Sequence, residues 1–239
     1  MSLFLDNDVV YKLAQMDLLE EAVQALGFTL SSVQVLNTLR FHANSRRIKK
    51  RLGEDALKKV ITFIDSVNEC DTPASTELLI AAEGVKGLDP GELQLLQALL
   101  DSPNEKIMIT GDKNFLRAFA NTSVLYDSVQ KLQEKFISFE QIVLCLMGSI
   151  GFDRVKRAIS NALQVNQSKQ PFDMTMRICF GNVDHILEED VRERLESYIS
   201  DLRRNTLGLL LQFNTSSRTS YSSDQSSALS VCGSTGYPL

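Results

Sequence analysis

Two apolar runs in this chain break off at a carboxylate, and helical sequence follows each. In "LFLDNDVV" (residues 3–10) the break falls at Asp6, and in "IMITGDKNFL" (107–116) it falls at Asp112. A short apolar run bounded by polar residues reads as a buried strand, and residues recurring at three- and four-residue intervals read as an amphipathic helix. Strands that alternate with helices imply a parallel sheet with helices on its faces. In such sheets ligands bind beyond the carboxyl ends of the strands, so acids placed there can converge on one crevice.

The rest of the chain supports this alternation. "DVVYKLAQMDLLEEAVQAL" has helical spacing after the first strand at Leu3 to Leu5. A short apolar stretch near "FTLSS" precedes a predicted helix, "VQVLNTLRFHA", then the basic run "SRRIKKR" and a further helix, "EDALKKVITFIDSV". "CDTPASTELLIAAEGV" reads as a loop opening a helix at Ser75 or Thr76. The start of "LDPGELQLLQALLDS" is the clearest of all. Asp89 can accept the first free N–H groups, Pro90 suits the first helical position, and Glu92 can close a capping box. "KIMIT" is a predicted strand, "KNFLRAFA" a helix, "SVLY" a strand and "SVQKLQEKF" a helix.

Beyond Ile137 the strands stop. "SFEQIVLCLMGSIG", "DRVKRAISNALQV" and "DHILEEDVRERLESYISDLRRN" read as helices, with "NQSKQPFDM" irregular between the second and third. The expected organisation is an α/β unit over residues 1–137, a helical extension over 138–213 packed on it, and a tail over 214–239. That tail is Ser-rich and poor in large aliphatics, so disorder is expected of it. The amino terminus has no basic segment followed by an apolar signal core, and the run "IVLCLMGSIGF" is too short to span a bilayer. Four scattered cysteines without a CxxC pair suit a reducing compartment, so a cytoplasmic protein is expected.

Only His42 and His185 are present, which removes the raw material for His-rich metal sites and for most His-activated nucleophiles. Carboxylates are left as the chemical groups. Acids brought together repel one another, and a hard divalent cation with oxygen ligands is the usual way to hold them ionised. The bland reading is that Asp6 or Asp8, Asp112 and Glu92 do no more than cap helices.

Taken together, "FLDND", "LDPGELQLLQALL" and "IMITGDKNFL" resemble the PIN domain, in that order and at about its spacing, over roughly residues 2–137. The resemblance implies a three-layer α/β/α fold with a parallel sheet and a metal-dependent nuclease site. It places Asp6 at the family's first-strand Asp, Glu92 at its middle acid, and Thr110 and Asp112 at its Thr-x-Asp motif. These acids would bind Mg²⁺ or Mn²⁺, with Asp8 a further candidate ligand and Thr110 and Asn114 in support. Thr38 stands where the family usually has a Glu on its second helix, and Asn114 stands where it often has another acid. RNA is the favoured substrate, because small bacterial-type members of the family are mostly ribonucleases.

Between Phe28 and Gly53 the chain carries six basic residues and no acids, inside a net charge of -5. Arg46, Arg47, Lys49, Lys50 and Arg51 are therefore candidate phosphate contacts, whereas base stacking has little support because Phe41 is the only ring among them, and a solvated helix face is the alternative. Two other functional readings compete. One is a PIN-like module that binds nucleic acid or a protein partner or inhibitor without cleaving. The other is a haloacid dehalogenase-type phosphatase using Asp6 as nucleophile and Asp8 as acid/base, which lacks the later acid pair because Leu116 stands where the second acid should be.

Overall fold

The chain forms a five-stranded, all-parallel sheet between two layers of helix. The computed structural model describes residues 1–103, 105–165, 172–181 and 185–212. In chain order the elements are β1 (Ser2–Leu5), α1 (Asn7–Met16), α2 (Leu19–Ala25), β2 (Val33–Leu36), α3 (Leu39–Ala43), α4 (Arg46–Ser66), β3 (Asn68–Cys70), α5 (Thr76–Ala81) and α6 (Pro90–Asp101). They continue with β4 (Lys106–Thr110), α7 (Lys113–Asn121), α8 (Tyr126–Lys131), β5 (Phe136–Ser138), α9 (Phe139–Ile150), α10 (Phe152–Val165), α11 (Met174–Phe180) and α12 (Glu188–Arg204). Strand order is β3-β2-β1-β4-β5. The chain winds outward from β1 through β2 to β3, then returns to lay β4 on the other side of β1, so the order reverses between β1 and β4.

Period-two alternation along the strands sorts the core into two halves. Leu3, Leu5, Val33, Val35, Ile107, Ile109 and Ile137 belong to one cluster, which also holds buried residues of α1, α2, α4 and α9 through α12. Phe4, Leu36, Cys70, Met108 and Phe136 belong to the other, with residues of α5 through α8. Burial on both faces explains why the central strands read as nearly unbroken apolar runs. The helices after Ile137 share the first of these clusters with α1 and α2, and α9 packs directly on α2, α10 and α12. After α12 the chain returns to the sheet edge, where the N–H of Phe136 donates to Leu209 O and that of Leu211 to Phe136 O.

Several local expectations need correction. "VQVLNTLRFHA" is not one helix but β2 followed by α3. Val33 and Val35, β-branched and two apart, fill one sheet face, and Val33 and Leu36 happen also to match a helical spacing. "SVLY" is not a strand. It forms a 3-10 turn at Ser123–Leu125 and the start of α8, and the place beside β4 belongs to Phe136–Ser138, at the junction of the predicted helices "SVQKLQEKF" and "SFEQIVLCLMGSIG". The predicted first long helix is broken, because Asp17 adopts a left-handed φ of 59° and closes α1. β3 and α11 were not expected. The tail 214–239 and most of "NQSKQPFDM" lie outside the described residues. Among the described residues no helix is long and apolar enough to cross a membrane.

Candidate active site

β1 and β4 are neighbours, and their carboxyl ends meet at the point where the strand order reverses. The N–H of Asp6 donates to Ile109 O at 3.1 Å, which extends the pairing one residue past β1. Asp6 occupies the cap position of α1, yet its side chain makes no cap hydrogen bond. Its Oδ2 instead accepts from the Thr110 hydroxyl at 3.4 Å, and that hydroxyl accepts from the Asp112 N–H at 3.0 Å. One threonine thus ties together the two strand-end acids. Asp112 is also a cap: its Oδ1 accepts from the N–H groups of Asn114 at 2.7 Å and Phe115 at 3.0 Å.

Glu92 enters from α6, whose start forms the expected capping box. Asp89 Oδ1 accepts from the Glu92 N–H at 2.8 Å, and Glu92 Oε2 accepts from the Asp89 N–H at 3.0 Å. Gly91 permits the close seat of this helix end on β2, since a Cβ there would stand 3.1 Å from Leu36 Cδ1. Glu92 therefore does fold back on its own helix, but it does not face solvent, being 5% exposed. Asp6, Asp89, Glu92 and Asp112 all line one cleft of about 880 Å³.

Burial, followed by the charges of Asp8, Asp89 and Asp112, pushes the Asp6 carboxyl up to about 7. Asp6 itself is 9% exposed. Burial raises Glu92 to about 9, opposed by its hydrogen bond from the Asp89 N–H and reinforced by the charges of Asp89, Asp6 and Asp112. Two acids in one cleft thus retain protons well above the usual carboxylate range.

Asp8 differs. Burial raises its pKa, but Lys12 and Arg51 outweigh that effect and hold it below the ordinary value. Its Oδ2 pairs with Lys12 Nζ at 2.7 Å and its Oδ1 with Arg51 at 2.9 Å, so both oxygens are committed to cations and Asp8 is a poor metal ligand here. Lys12 is buried, bridges onward to Asp173 Oδ2 at 2.7 Å, and lies 5.0 Å from the centre of the Phe139 ring. Asp173 caps α11. The strut Asp8–Lys12–Asp173 thereby fixes the start of α11 as a wall of the cleft, and Gly111 makes room for it: a Cβ there would stand 2.9 Å from Lys12 Nζ.

Of the basic run, Arg51 reaches the cleft, whereas Arg46, Arg47, Lys49 and Lys50 are exposed on the first turns of α4, before its break at Gly53 (φ 77°). Asn114 also lines the cleft, as do Thr38 and, one turn later, His42. Tyr11, another lining residue, is 4% exposed, and its hydroxyl has no partner among the described residues. Burial raises its pKa, with Arg51 opposing. Sequence reasoning missed Tyr11, Lys12, His42 and Asp173. The four-residue spacing of Asp8 and Lys12 was a usable sign of that pair; for Asp173 there was none.

The donor set of Asp6, Glu92 and Asp112 is all hard oxygen, which suits Mg²⁺ or Mn²⁺. Among the described residues, however, no three His, Cys, Asp or Glu side chains are gathered closely enough to hold a metal ion as they stand. Glu92 Oε2 and Asp112 Oδ1 are each engaged by backbone N–H groups, so the caps use one oxygen of each carboxylate. Comparison with protein-family models, with curated proteins and with solved structures found no match to this chain.

Proposed function

We propose that this chain is a Mg²⁺- or Mn²⁺-dependent phosphodiester hydrolase of the PIN kind, with RNA as the favoured substrate. The observation that carries the reading is the meeting of Asp6, Glu92 and Asp112 in one cleft at the reversal of strand order, where burial raises the Asp6 and Glu92 carboxyls above their ordinary values. Asp6, Glu92 and Asp112 would hold the cation. When bound, it would lower the pKa of a water and stabilise charge on the scissile phosphate. Thr110 orients Asp6 and Asp112 through its hydroxyl. Arg51, fixed by Asp8, presents a cation at the cleft wall for the substrate backbone, and the Tyr11 hydroxyl offers a buried donor beside the acids. No side chain acts as nucleophile.

A second reading, a binding module for nucleic acid or protein that does not cleave, draws support from Thr38 at the missing acid and from the capped oxygens of Glu92 and Asp112. Incubation of the full chain with a mixed panel of RNA and DNA, with Mn²⁺ and with a chelator, separates the two. The hydrolase reading requires cleavage that the chelator stops and that Asp112→Asn lowers about a hundredfold or more. Binding without cleavage favours the module, and cleavage unchanged in Asp112→Asn overturns the assignment of that residue.

A further inference from the structure

We propose that the surface formed by α3 and the first turns of α4 is a docking track for single-stranded nucleic acid, with Phe41 as its base-stacking platform. This inference rests on the hydrolase reading of the adjoining cleft and names its substrate class. Three observations meet here. Phe41 is the most exposed large apolar side chain among the described residues, at 80%. Its ring lies 6.5 Å from that of His42, tilted by 57°, and His42 lines the cleft. Two residues, Asn44 and Ser45, then separate α3 from the exposed cations Arg46, Arg47, Lys49 and Lys50.

The local fold explains why Phe41 points outward. α3 begins just past the carboxyl end of β2, the same end of the sheet that carries Asp6 and Asp112. Leu39 and Ala43, four apart, take the buried side of this short helix, so Phe41 between them is turned to solvent and His42 to the cleft. An exposed aromatic ring beside a run of exposed cations is the pairing that single-strand binders use. The cations track the phosphates, and the ring accepts a base on its face whatever the base is. A duplex keeps its bases stacked on one another and cannot offer one to Phe41, so the track discriminates between single and double strands.

The test is equilibrium binding, by fluorescence anisotropy in EDTA, of labelled oligouridine, oligothymidine and a mixed-sequence RNA duplex to the full chain. Phe41→Ala should weaken binding of both single strands by between about fivefold and a hundredfold and leave duplex binding unchanged, while Phe41→Trp binds at least as well as the parent. Both variants should melt as the parent does, since the ring packs on little. Oligouridine and oligothymidine bound alike would assign the track to single strands in general, and a preference for oligouridine would assign it to RNA. Equal binding by Phe41→Ala, rescue by Phe41→Leu as complete as by Phe41→Trp, tighter binding of the duplex, or no binding by the parent would each overturn the inference. The chelator removes any metal-dependent step, so a chain that binds single strands through Phe41 yet cleaves nothing would retain the track and refute the hydrolase. A chain whose Mn²⁺-dependent cleavage is indifferent to Phe41 and to strandedness would do the reverse.

Discussion

Asp6→Asn should stabilise the metal-free protein, and more so as the pH rises. The Asp6 carboxyl titrates at about 7 in the folded chain against a reference of 3.8. At about 1.4 kcal/mol per pH unit, this places an upper bound of about 4 kcal/mol on the cost of ionising it in the cleft. The folded state binds this proton more tightly than the unfolded state, so the stability it contributes is fully present below the unfolded pKa and is lost as pH rises through about 7. Asparagine keeps the shape of the neutral acid and never ionises. At about pH 8 the variant should therefore gain up to about 4 kcal/mol, or about 8–16 °C in melting temperature for a chain of this size, while at about pH 5 the gain should shrink to under about 2 kcal/mol and at about pH 3 the two should nearly coincide. Scanning calorimetry in EDTA across that range reads the difference directly. With Mn²⁺ added the order should invert, the parent gaining stability at high pH and the variant little, because the cation supplies the missing counter-charge only where the carboxylate is present. A variant that is uniformly less stable, or whose gain does not depend on pH, would refute the electrostatic reasoning.

Other perturbations test the frame around the cleft. Lys12→Met strands the largely enclosed Asp173 without its ammonium, and urea unfolding should report a loss of about 3–5 kcal/mol; a loss under about 1 kcal/mol would show that the strut does not hold the α11 wall. Tyr11→Phe removes a buried hydroxyl without a partner among the described residues, so metal-free stability should hold or rise by up to about 1 kcal/mol while cleavage falls; a clear fall in stability would reveal a partner for that hydroxyl. Asp112→Asn should leave the melting temperature nearly unchanged at neutral pH, since asparagine accepts the same N–H bonds from Asn114 and Phe115, and a fall of several degrees would make Asp112 chiefly a cap.

The parts of this fold that could be read from sequence are those fixed by local chemistry. The Asp89-Pro90-Gly91-Glu92 start of α6 appeared as expected because its signal is contained in four adjacent residues. β1 and β4 were legible because central parallel strands must be apolar on both faces. β2, β3 and β5 were misread or missed because they owe their existence to neighbours in the sheet: β2 by lying between β1 and β3, β5 by pairing with β4. At the site, Asp6 and Asp112 followed from strand ends alone. Asp8 did not, because Arg51, which occupies its second oxygen, comes from a distant helix. Phe41 stood in plain sight among the cations, but only the burial of Leu39 and Ala43 shows that it faces outward.

The most direct measurement is the anomalous scattering of crystals grown with Mn²⁺. Expected is a manganese peak in the cleft, about 2.2 Å from carboxylate oxygens of both Asp6 and Asp112, with Glu92 turned from its cap toward the ion. A cleft without manganese at saturating concentration, with Glu92 still bonded to the Asp89 N–H, would contradict the metal-dependent reading and leave Glu92 and Asp112 as helix caps.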